Sequence, residues 1–589
     1  MALGVPEQVL DVNPGASSSS PNALVSIGDT LYFTANDATS GYELWKSDGT
    51  SGGTMLVHDI RPGGASSSPA HLTNVGGTLF FIADDGTSGY ELWKSDGTSS
   101  GTVLVRDIRS GSLTSAPVNL VNVAGTLFLV ANDGTYGDEL WKSDGTTSGT
   151  EMVKDIRPGA LGSSPNNPTN VGGTLYFGAF DGTTGGELWK SDGTSSGTVL
   201  VKDINPSSAN SPPGSLVNVS GTLYYSATDG TLGRELWKSD GTYSGTMLVK
   251  DLFPDASSSY INNLVNVGGA LFFSANDGVA GVELWLSDGT SSGTAVVKNI
   301  RPGGSSSSPA ALLNLGGTLF FRANDGTSGV ELWKSDGSSD GTVLVKDIRP
   351  GAPSGSPANL TRVVETLYFS VNDGTHGVEL WKSDGTSDGT VLVEDIRVGT
   401  SSSSPANLTN ANGTLAFRAN DGSTGAELWK LVHVIPGDVD SDGEVDFQDF
   451  LMLQVGFGMM SGALRSDGDL DGDEDVDFQD FLILQANFGE MADAPIVARS
   501  VNLATTGASE SPDATTAAGR VLSPWYTQGA PRPQWRATMA RTSGGAQDAL
   551  QHVAATTDTS HRERRWRQAV DAVFTQLGLM ENQLDSAAL

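Results

Sequence analysis

Tryptophan recurs every 48 residues along most of the chain, nine times without any change of spacing. Each of these tryptophans stands in the tripeptide Glu-Leu-Trp, from Glu43-Leu44-Trp45 to Glu427-Leu428-Trp429. A period of about 20–50 residues is typical of solenoids, propellers and other arrays that repeat one supersecondary unit. The sequence therefore predicts nine copies of one unit. The tryptophans are Trp45, Trp93, Trp141, Trp189, Trp237, Trp285, Trp333, Trp381 and Trp429.

Each repeat has the residues of four short β-strands joined by tight turns. In the eighth repeat, strands are predicted at 359–364, 366–372, 377–383 and 390–396. Asp-Gly pairs separate the last three segments, and Asp-Gly between apolar runs is a strong hairpin signal. Four strands joined in this way make one propeller blade. The predicted fold class is all-β, a β-propeller of nine four-stranded blades. A parallel β-helix is the alternative, although it uses shorter coils and needs no hairpin turns.

The two ends of the repeated region complement each other. Residues 7–15 match the fourth strand and exit loop of an internal repeat, such as residues 343–351. The ninth repeat has three strand segments within 407–430 and lacks the Ser-Asp-Gly-Thr turn that precedes a fourth. A strand donated from the N-terminus would close the ring and remove the exposed sheet edges. We therefore predict that the N-terminal strand closes the propeller, which occupies residues 1–435.

The repeated motif Glu-Leu-Trp-Lys-Ser-Asp-Gly-Thr-x-x-Gly-Thr carries a family resemblance. Over residues 7–435 it resembles the bacterial family named for its Glu-Leu-Trp-x-x-Asp-Gly-Thr repeat. The resemblance implies an exported protein, often with several domains, and it implies no defined reaction.

The repeated tryptophans suit either a ring of sugar-stacking platforms or packing between blades. An aromatic side chain buries about 150–250 Å², and a role repeated in every copy favours packing. The glutamate before each tryptophan is expected to pair with a neighbouring cation or a backbone amide. The serine-rich connectors, such as residues 302–309, differ most between copies, and they are therefore the preferred binding face.

No catalytic set is evident in the repeats. The clearest departures from the repeat are Phe180, Arg234, Leu286 and Asn299. The chain has no cysteine, which excludes disulfides, thiolate catalysis and Cys-ligated zinc. The sequence therefore predicts that the protein is not an enzyme. The histidines of the repeats, which have no matched acid–base partner, are His58, His71, His376 and His433.

Two acidic loops follow Pro436 with the spacing of a calcium-binding EF-hand loop. In such a loop, oxygens from positions 1, 3, 5, 7, 9 and 12 surround one Ca²⁺ ion, and position 7 contributes its backbone carbonyl. Gly443 stands at position 6 of the first loop, whereas Glu474 stands there in the second and is expected to strain the turn. The predicted Ca²⁺ positions are Asp438, Asp440, Asp442, Glu444, Asp446 and Asp449 in the first loop, and Asp469, Asp471, Asp473, Asp475, Asp477 and Asp480 in the second.

Each acidic loop leads into a short apolar helix. Both helices are expected to end at a Phe-Gly pair, Phe457-Gly458 and Phe488-Gly489. Paired loop–helix units with Asp at position 12 resemble a type I dockerin over residues 436–490, of the variant common in planctomycete surface proteins. The resemblance implies Ca²⁺ as the cofactor and a cohesin-like protein as the partner. An internal stabiliser of the neighbouring domains is the alternative.

The C-terminal region divides into two predicted segments. Residues 491–560 are rich in Ala, Thr, Ser and Gly without apolar periodicity, which predicts a flexible, disordered linker. An amphipathic helix with arginines in its first turns is predicted over 561–582. This helix either docks on an acidic surface, a membrane or an envelope partner, or it is a solvated terminal helix.

Charge and hydropathy narrow the classes of partner. A net charge of −34 argues against nucleic acid, whose phosphates need clustered Lys and Arg. No apolar run is long enough for a transmembrane helix. The first residues have no signal-peptide pattern, but calcium-type loops suit a calcium-rich exterior, so we predict an extracellular or cell-surface monomer.

Three functional hypotheses follow from the sequence. The first is a non-enzymatic, calcium-binding surface protein whose propeller is a binding or display scaffold and whose dockerin-like module mediates calcium-dependent attachment to a protein. The second is a polysaccharide-degrading enzyme or carbohydrate-binding protein that carries a dockerin. The third is a purely structural spacer.

Overall fold

The computed structural model describes residues 3–206, 210–434, 437–439, 445–460, 467–470 and 475–488. Within these ranges the chain forms 36 β-strands and two short α-helices. The strands build nine four-stranded antiparallel sheets, one for each tryptophan of the repeat. The fold is a nine-bladed β-propeller, which confirms the predicted fold class.

The four strands of a blade are hydrogen-bonded side by side, and blades one to eight each use four consecutive strands. The first strands are β2 Asn22–Ile27, β6 Ala70–Val75, β10 Val118–Val123, β14 Asn166–Val171, β18 Gly214–Val219, β22 Asn262–Val267, β26 Ala310–Leu315, β30 Ala358–Val363 and β34 Ala406–Ala411. The second strands are β3 Thr30–Asn36, β7 Thr78–Asp84, β11 Thr126–Asn132, β15 Thr174–Phe180, β19 Thr222–Ala227, β23 Ala270–Asn276, β27 Thr318–Asn324, β31 Thr366–Asn372 and β35 Thr414–Asn420. The third strands are β4 Tyr42–Ser47, β8 Tyr90–Ser95, β12 Asp138–Ser143, β16 Gly186–Ser191, β20 Glu235–Ser239, β24 Val282–Ser287, β28 Val330–Ser335, β32 Val378–Ser383 and β36 Ala426–Val434. The outermost strands are β5 Met55–His58, β9 Val103–Arg106, β13 Glu151–Lys154, β17 Val199–Lys202, β21 Met247–Lys250, β25 Ala295–Lys298, β29 Val343–Lys346, β33 Val391–Glu394 and, for blade nine, β1 Leu3–Leu10.

The second strand of each blade is buried on both faces, because neighbouring blades cover both sides of the sheet. In blade two, β7 buries five consecutive side chains, from Leu79 to Ala83. The Asp-Gly turn after β8 brings Gly97, with φ of +87°, against Tyr32 of blade one. A Cβ atom at Gly97 would lie 2.3 Å from the Tyr32 hydroxyl oxygen, so this turn accepts no side chain.

Each tryptophan packs between two blades. Trp93 and Phe81 of blade two lie in one buried cluster with Leu44 of blade one. Trp45 packs in the same way against Val9 of β1 in blade nine. The nine tryptophans are between 4% and 9% exposed, so they belong to the core and offer no stacking platform for a sugar. Packing between blades, the favoured interpretation of the sequence, is confirmed.

The N-terminal strand completes the ninth blade, as predicted. β1 pairs antiparallel with β36, from Leu3 opposite Val434 to Leu10 opposite Leu428. β36 is nine residues long, whereas a complete third strand elsewhere has six, because β36 continues where other blades turn into their fourth strand. The ring therefore has a seam at which both ends of the repeated region share one sheet.

Side chains also cross this seam. Glu427 Oε1 accepts a hydrogen bond of 2.6 Å from the Ser19 amide, and its Oε2 accepts one of 3.1 Å from the Val12 amide. Asn407 Nδ2 donates to the Pro21 carbonyl of blade one at 3.1 Å. The same kinds of contact link consecutive blades elsewhere, so blades nine and one meet through an ordinary interface between blades.

The first strands of neighbouring blades lie next to each other and line the ring axis. The second residue of each first strand has a positive φ, and where it is asparagine its amide can reach the next blade. Asn119 Nδ2, for example, donates to the Pro165 carbonyl at 3.2 Å. The nine positive-φ residues are Ala23, His71, Asn119, Asn167, Ser215, Asn263, Ala311, Asn359 and Asn407.

The two described helices are α1 Phe447–Gly456 and α2 Phe478–Asn487, each preceded by an acidic loop. They contact one another through Phe450 and Phe481, whose ring centroids lie 6.3 Å apart in an edge-to-face arrangement. Leu453 and Leu484 are buried beside them. The pair of helices therefore has an apolar core of its own.

Two sequence predictions fall outside the described residues: the linker at 491–560 and the amphipathic helix at 561–582. Within the described ranges, α1 and α2 are both too short to cross a lipid bilayer.

Candidate metal centre

The first acidic loop is tied to the start of α1 by two aspartates. Asp446 is the N-cap residue, and its carboxylate accepts a hydrogen bond from the Gln448 amide at 2.7 Å. Asp449, three residues later, accepts one from the Asp446 amide, also at 2.7 Å. This reciprocal pairing is a capping box. It gives hydrogen-bond acceptors to amides at the start of the helix that have none within the helix.

Asp449 also reaches back to the beginning of its loop. Its Oδ1 atom accepts a hydrogen bond of 2.6 Å from the amide of Val439, at loop position 2. The side chain is completely buried, and Asp438 at position 1 is 1% exposed. The position-12 carboxylate therefore sits inside the fold of the loop, where an EF-hand ligand is required.

The second loop repeats this geometry. Asp480 Oδ1 accepts from the Leu470 amide at 2.6 Å, and Asp480 Oδ2 accepts from the Asp477 amide at 2.7 Å. Asp477 in turn accepts from the Gln479 amide at 2.6 Å. The two units thus share one design.

Three carboxylates of the second loop converge. Oxygen atoms of Asp475, Asp477 and Asp480 all lie within 4.8 Å of one another. Calcium binds six to eight oxygens at about 2.3–2.6 Å, so ligands of one ion are separated by up to about 5 Å. Of the three, Asp480 is buried, Asp475 is partly buried and Asp477 is exposed. The donor set therefore fits a hard, oxygen-seeking cation such as Ca²⁺.

Among the described residues, the structure brings together three members of the second predicted ligand set, and Asp438, Asp446, Asp449 and Asp469 are not in such a group. It describes Asp438, Asp446, Asp449, Asp469, Asp475, Asp477 and Asp480. Outside the described residues lie Asp440, Asp442, Glu444, Asp471 and Asp473, and so does Glu474, where turn strain is predicted.

Sequence reasoning missed the second role of the aspartates at positions 9 and 12, which cap the helices as well as serving as candidate ligands. The signal was present, because an acid three residues after an N-cap aspartate, before an apolar run, is typical of a capping box.

In the propeller, the glutamate before each tryptophan holds the connector to the next blade. Glu43 is completely buried. Its Oε2 accepts from the Ile60 amide at 3.0 Å and from Ser67 Oγ at 2.5 Å, while its Oε1 accepts from the Ser67 amide at 2.7 Å. Burial raises the pKa of Glu43 to about 7, although these donors act in the opposite direction. Pairing with backbone amides was predicted, whereas the serine partner was missed.

The comparisons with known proteins come from solved structures. No protein-family model and no curated protein matches the chain. A computationally designed protein, Ika8, is 19% identical, with 64% of this chain and 99% of that chain covered and a TM-score of 0.36. A puromycin hydrolase is 12% identical, with 62% of this chain and 60% of that chain covered and a TM-score of 0.32. A prolyl endopeptidase structure is also 12% identical, with coverages of 60% and 54% and a TM-score of 0.37. At these values the matches assign no substrate and no site.

The prediction that the protein is not an enzyme is contradicted by these matches, since they include a puromycin hydrolase and a prolyl endopeptidase. The error lay in concluding that the protein is not an enzyme because no catalytic set is evident in the regular repeats. A ring of repeated blades is a scaffold, and scaffolds of one fold carry unrelated activities. Regularity therefore says nothing against a reactive site at a position where the copies differ.

Proposed function

We propose that this protein is a calcium-binding extracellular or cell-surface protein. Its propeller serves as a binding scaffold, and its paired loop–helix module mediates calcium-dependent attachment to a cohesin-like protein partner. The observation that carries the proposal is the duplicated ligand geometry, in which Asp449 and Asp480 make the same two backbone contacts.

Calcium would act on this module through its folding. Asp438, Asp449 and Asp480 are at most 1% exposed, and a buried carboxylate is costly without a cation. Binding of Ca²⁺ would offset this cost and the repulsion among the loop aspartates. Metal binding to such loops is coupled to folding, so chelation is expected to unfold the module and abolish attachment.

The proposed extracellular location rests on the affinity for Ca²⁺ that is expected of the two loops. Extracellular calcium modules bind at about 10⁻⁴–10⁻³ M, whereas cytosolic sites require tighter binding. The position-12 residue is Asp in both loops, whose shorter side chain reaches the ion less readily than the bidentate Glu of calcium sensors. Weak sites of this kind suit a calcium-rich exterior.

The test is calorimetric titration of the full chain with Ca²⁺. One ion per loop is expected, with Asp449→Asn and Asp480→Asn each removing one binding event. Asp388→Asn, which removes an equal charge at an exposed propeller residue, is the control and should leave the isotherm unchanged.

A flat isotherm from chain that retains the circular dichroism of a β-propeller would refute the calcium proposal. Attachment is tested separately, by surface plasmon resonance against a panel of immobilised cohesin domains with and without EDTA. Binding to cohesins that survives EDTA would contradict the calcium-dependent part.

A further inference from the structure

The residues at which blades four, five and six depart from the repeat meet in one cleft. The cleft has a volume of about 560 Å³ and lies where the connectors meet the loops that follow the second strands. Volumes of roughly 300–1,000 Å³ are typical of small-molecule sites. A site for one ligand is expected where the copies differ, and this cleft is lined by residues that the other copies lack. The departing residues that line it are Phe180, Pro212, Gly214, Arg234, Tyr260 and Ile261.

Phe180 provides one wall. It stands opposite Gly186 in the pairing of β15 with β16, a position at which blade three has Asn132 opposite Asp138. A Cβ atom at residue 186 would lie 2.6 Å from the Phe180 ring, so the glycine makes room for the aromatic side chain. The two departures depend on each other, and together they place a half-buried aromatic face in the cleft.

Arg234 provides the charge. Its Nη1 atom donates to the Pro212 carbonyl at 2.9 Å and to the Ser226 carbonyl at 2.8 Å. Within the described part of the chain, these contacts and a longer one from Nη1 to Ser226 Oγ are the hydrogen bonds of its side chain. The Nε–Nη2 edge makes no hydrogen bond to the described residues, and that edge of a guanidinium can bind a carboxylate through two parallel hydrogen bonds.

Near Arg234, Glu187 makes only part of the set of hydrogen bonds that Glu43 makes in blade one. Glu187 keeps the Ile204 amide at 3.1 Å, but the Ser211 amide donates to the Gly186 carbonyl instead. Among the described residues, Glu187 Oε1 and the hydroxyl of the completely buried Tyr225 have no hydrogen-bond partner. Other blades have Phe or Leu where Tyr225 stands, so this polar pair belongs to blades four and five.

Glu187 affects the charge that Arg234 presents to the cleft. Burial raises the pKa of Glu187 to about 8, and Arg234 is close enough to interact with it electrostatically. At neutral pH the carboxyl is therefore mainly protonated, and it does not neutralise the guanidinium. Arg234 therefore retains its positive charge for an external anion.

We propose that this cleft binds a hexuronic acid unit of an acidic polysaccharide. The sugar carboxylate pairs with Arg234, and its ring lies against Phe180 and Tyr260. Amides of Asn166 and Asn262 at the rim suit its hydroxyl groups. The net charge of −34 repels densely charged polyanions, so the better match is a polysaccharide whose uronic acid units are separated by neutral sugars. The inference rests on the proposed scaffold function and names its ligand class.

The test is titration of the full chain with glucuronic and galacturonic acid, and with oligosaccharides that join one such unit to neutral sugars, followed by calorimetry and saturation-transfer NMR. Arg234→Ala is expected to weaken binding roughly 10–100-fold, as for loss of a charge-assisted pair. Arg234→Lys keeps the charge but loses the two parallel hydrogen-bond donors, so it should weaken binding less than Arg234→Ala while preserving the fold.

Arg322→Ala is the matched control. Arg322 is also partly buried and donates Nη1 to a proline carbonyl, Pro357, at 3.4 Å, but it lies in blade seven away from the cleft. It should leave affinity unchanged, whereas Phe180→Ala should reduce it. Glucose and acetate are the ligand controls, because neither combines the carboxylate with the sugar ring.

Several results would overturn the inference. Uronate binding that is unchanged in folded Arg234→Ala would place the site elsewhere and leave the scaffold proposal standing. Equal affinity for acetate or for an N-acetylated amino acid would show that the sugar ring is not recognised. No uronate binding, with neutral oligosaccharides or cohesins still bound, would reject the cleft alone. If none of these ligands bound the folded chain, the scaffold function would fail as well.

Discussion

At the scale of single residues, the axis of the propeller is lined by a backbone conformation that L-amino acids seldom adopt. All nine second residues of the first strands have φ between 51° and 56°, and five of them are asparagine. Asparagine tolerates this left-handed region better than most residues. Its side chain also links blades, as from Asn407 to Pro21. Where alanine occupies the position, the strain remains and the link is lost.

Ala23→Asn is therefore expected to stabilise the propeller. The substitution relieves part of the left-handed strain and allows a hydrogen bond to the Pro69 carbonyl of blade two, for a gain of about 0.5–1.5 kcal/mol. Asn407→Ala is the reciprocal variant and should lose a similar amount. Urea unfolding of both variants measures the change in free energy, and a lower midpoint for Ala23→Asn would contradict this account.

At the scale of elements, the buried glutamates make the attachment of the connectors depend on pH. A carboxyl whose folded pKa is raised favours folding while it is neutral. The contribution of Glu187 is therefore complete below the ordinary pKa of 4.5 and is lost as pH rises through about 8. Asp373 acts in the opposite sense. Burial raises its pKa, but hydrogen bonds from His376 and Thr375 outweigh this and hold it at about 2, so its contribution is lost only in strong acid.

The propeller should therefore lose stability between about pH 4.5 and 8. Glu187→Gln imitates the neutral carboxyl, so it is expected to reduce the loss of melting temperature over this interval by roughly 1–3 °C. Glu151→Gln removes an equal charge from an exposed side chain and is the control. Thermal melts from pH 4.5 to 8.5 at saturating Ca²⁺ provide the measurement. Equal pH slopes for Glu187→Gln and the wild type would show that Glu187 titrates normally.

The strands were predictable because the repeat shows the same pattern in every copy. In blade eight the prediction of 366–372 matches β31, and that of 377–383 begins one residue before β32. The capping boxes of the acidic loops were also predictable, since their residues are close in sequence, whereas Ca²⁺ binding stays a prediction. The cleft was not, because Phe180 and Arg234 belong to different blades and meet only through the geometry of neighbouring blades. The sequence shows each residue that departs from the repeat, but it does not show which residues lie beside it in the folded ring.

At the scale of the whole molecule, stability depends on a seam between the two ends of the repeated region. β1 supplies both the outer strand of blade nine and Val9, which packs on Trp45 of blade one. Without β1, the strand β36 would present an open edge, and such edges invite pairing between molecules. The seam lies within the sheet of blade nine, where β1 and β36 pair without a turn that joins them.

Deletion of residues 1–10 is therefore expected to lower the melting temperature and to produce dimers and larger species. Size-exclusion chromatography with light scattering and thermal melts would measure both effects. A synthetic peptide of residues 1–12 added in excess should restore the monomer and part of the melting temperature. A variant that remains monomeric with an unchanged melting temperature would show that β1 is dispensable.

The pairing of β1 with β36 also sets an order of events during synthesis. Leu10 is paired with Leu428, so roughly 400 residues must be added before the partner strand exists. At about 5–20 residues per second, the ribosome needs roughly 20–80 s to make that length of chain. For this interval β1 is a strand without its sheet, while the blades that follow it are already folding. The seam is expected to close last, and neighbouring nascent chains on one messenger are most exposed to strand exchange at this point.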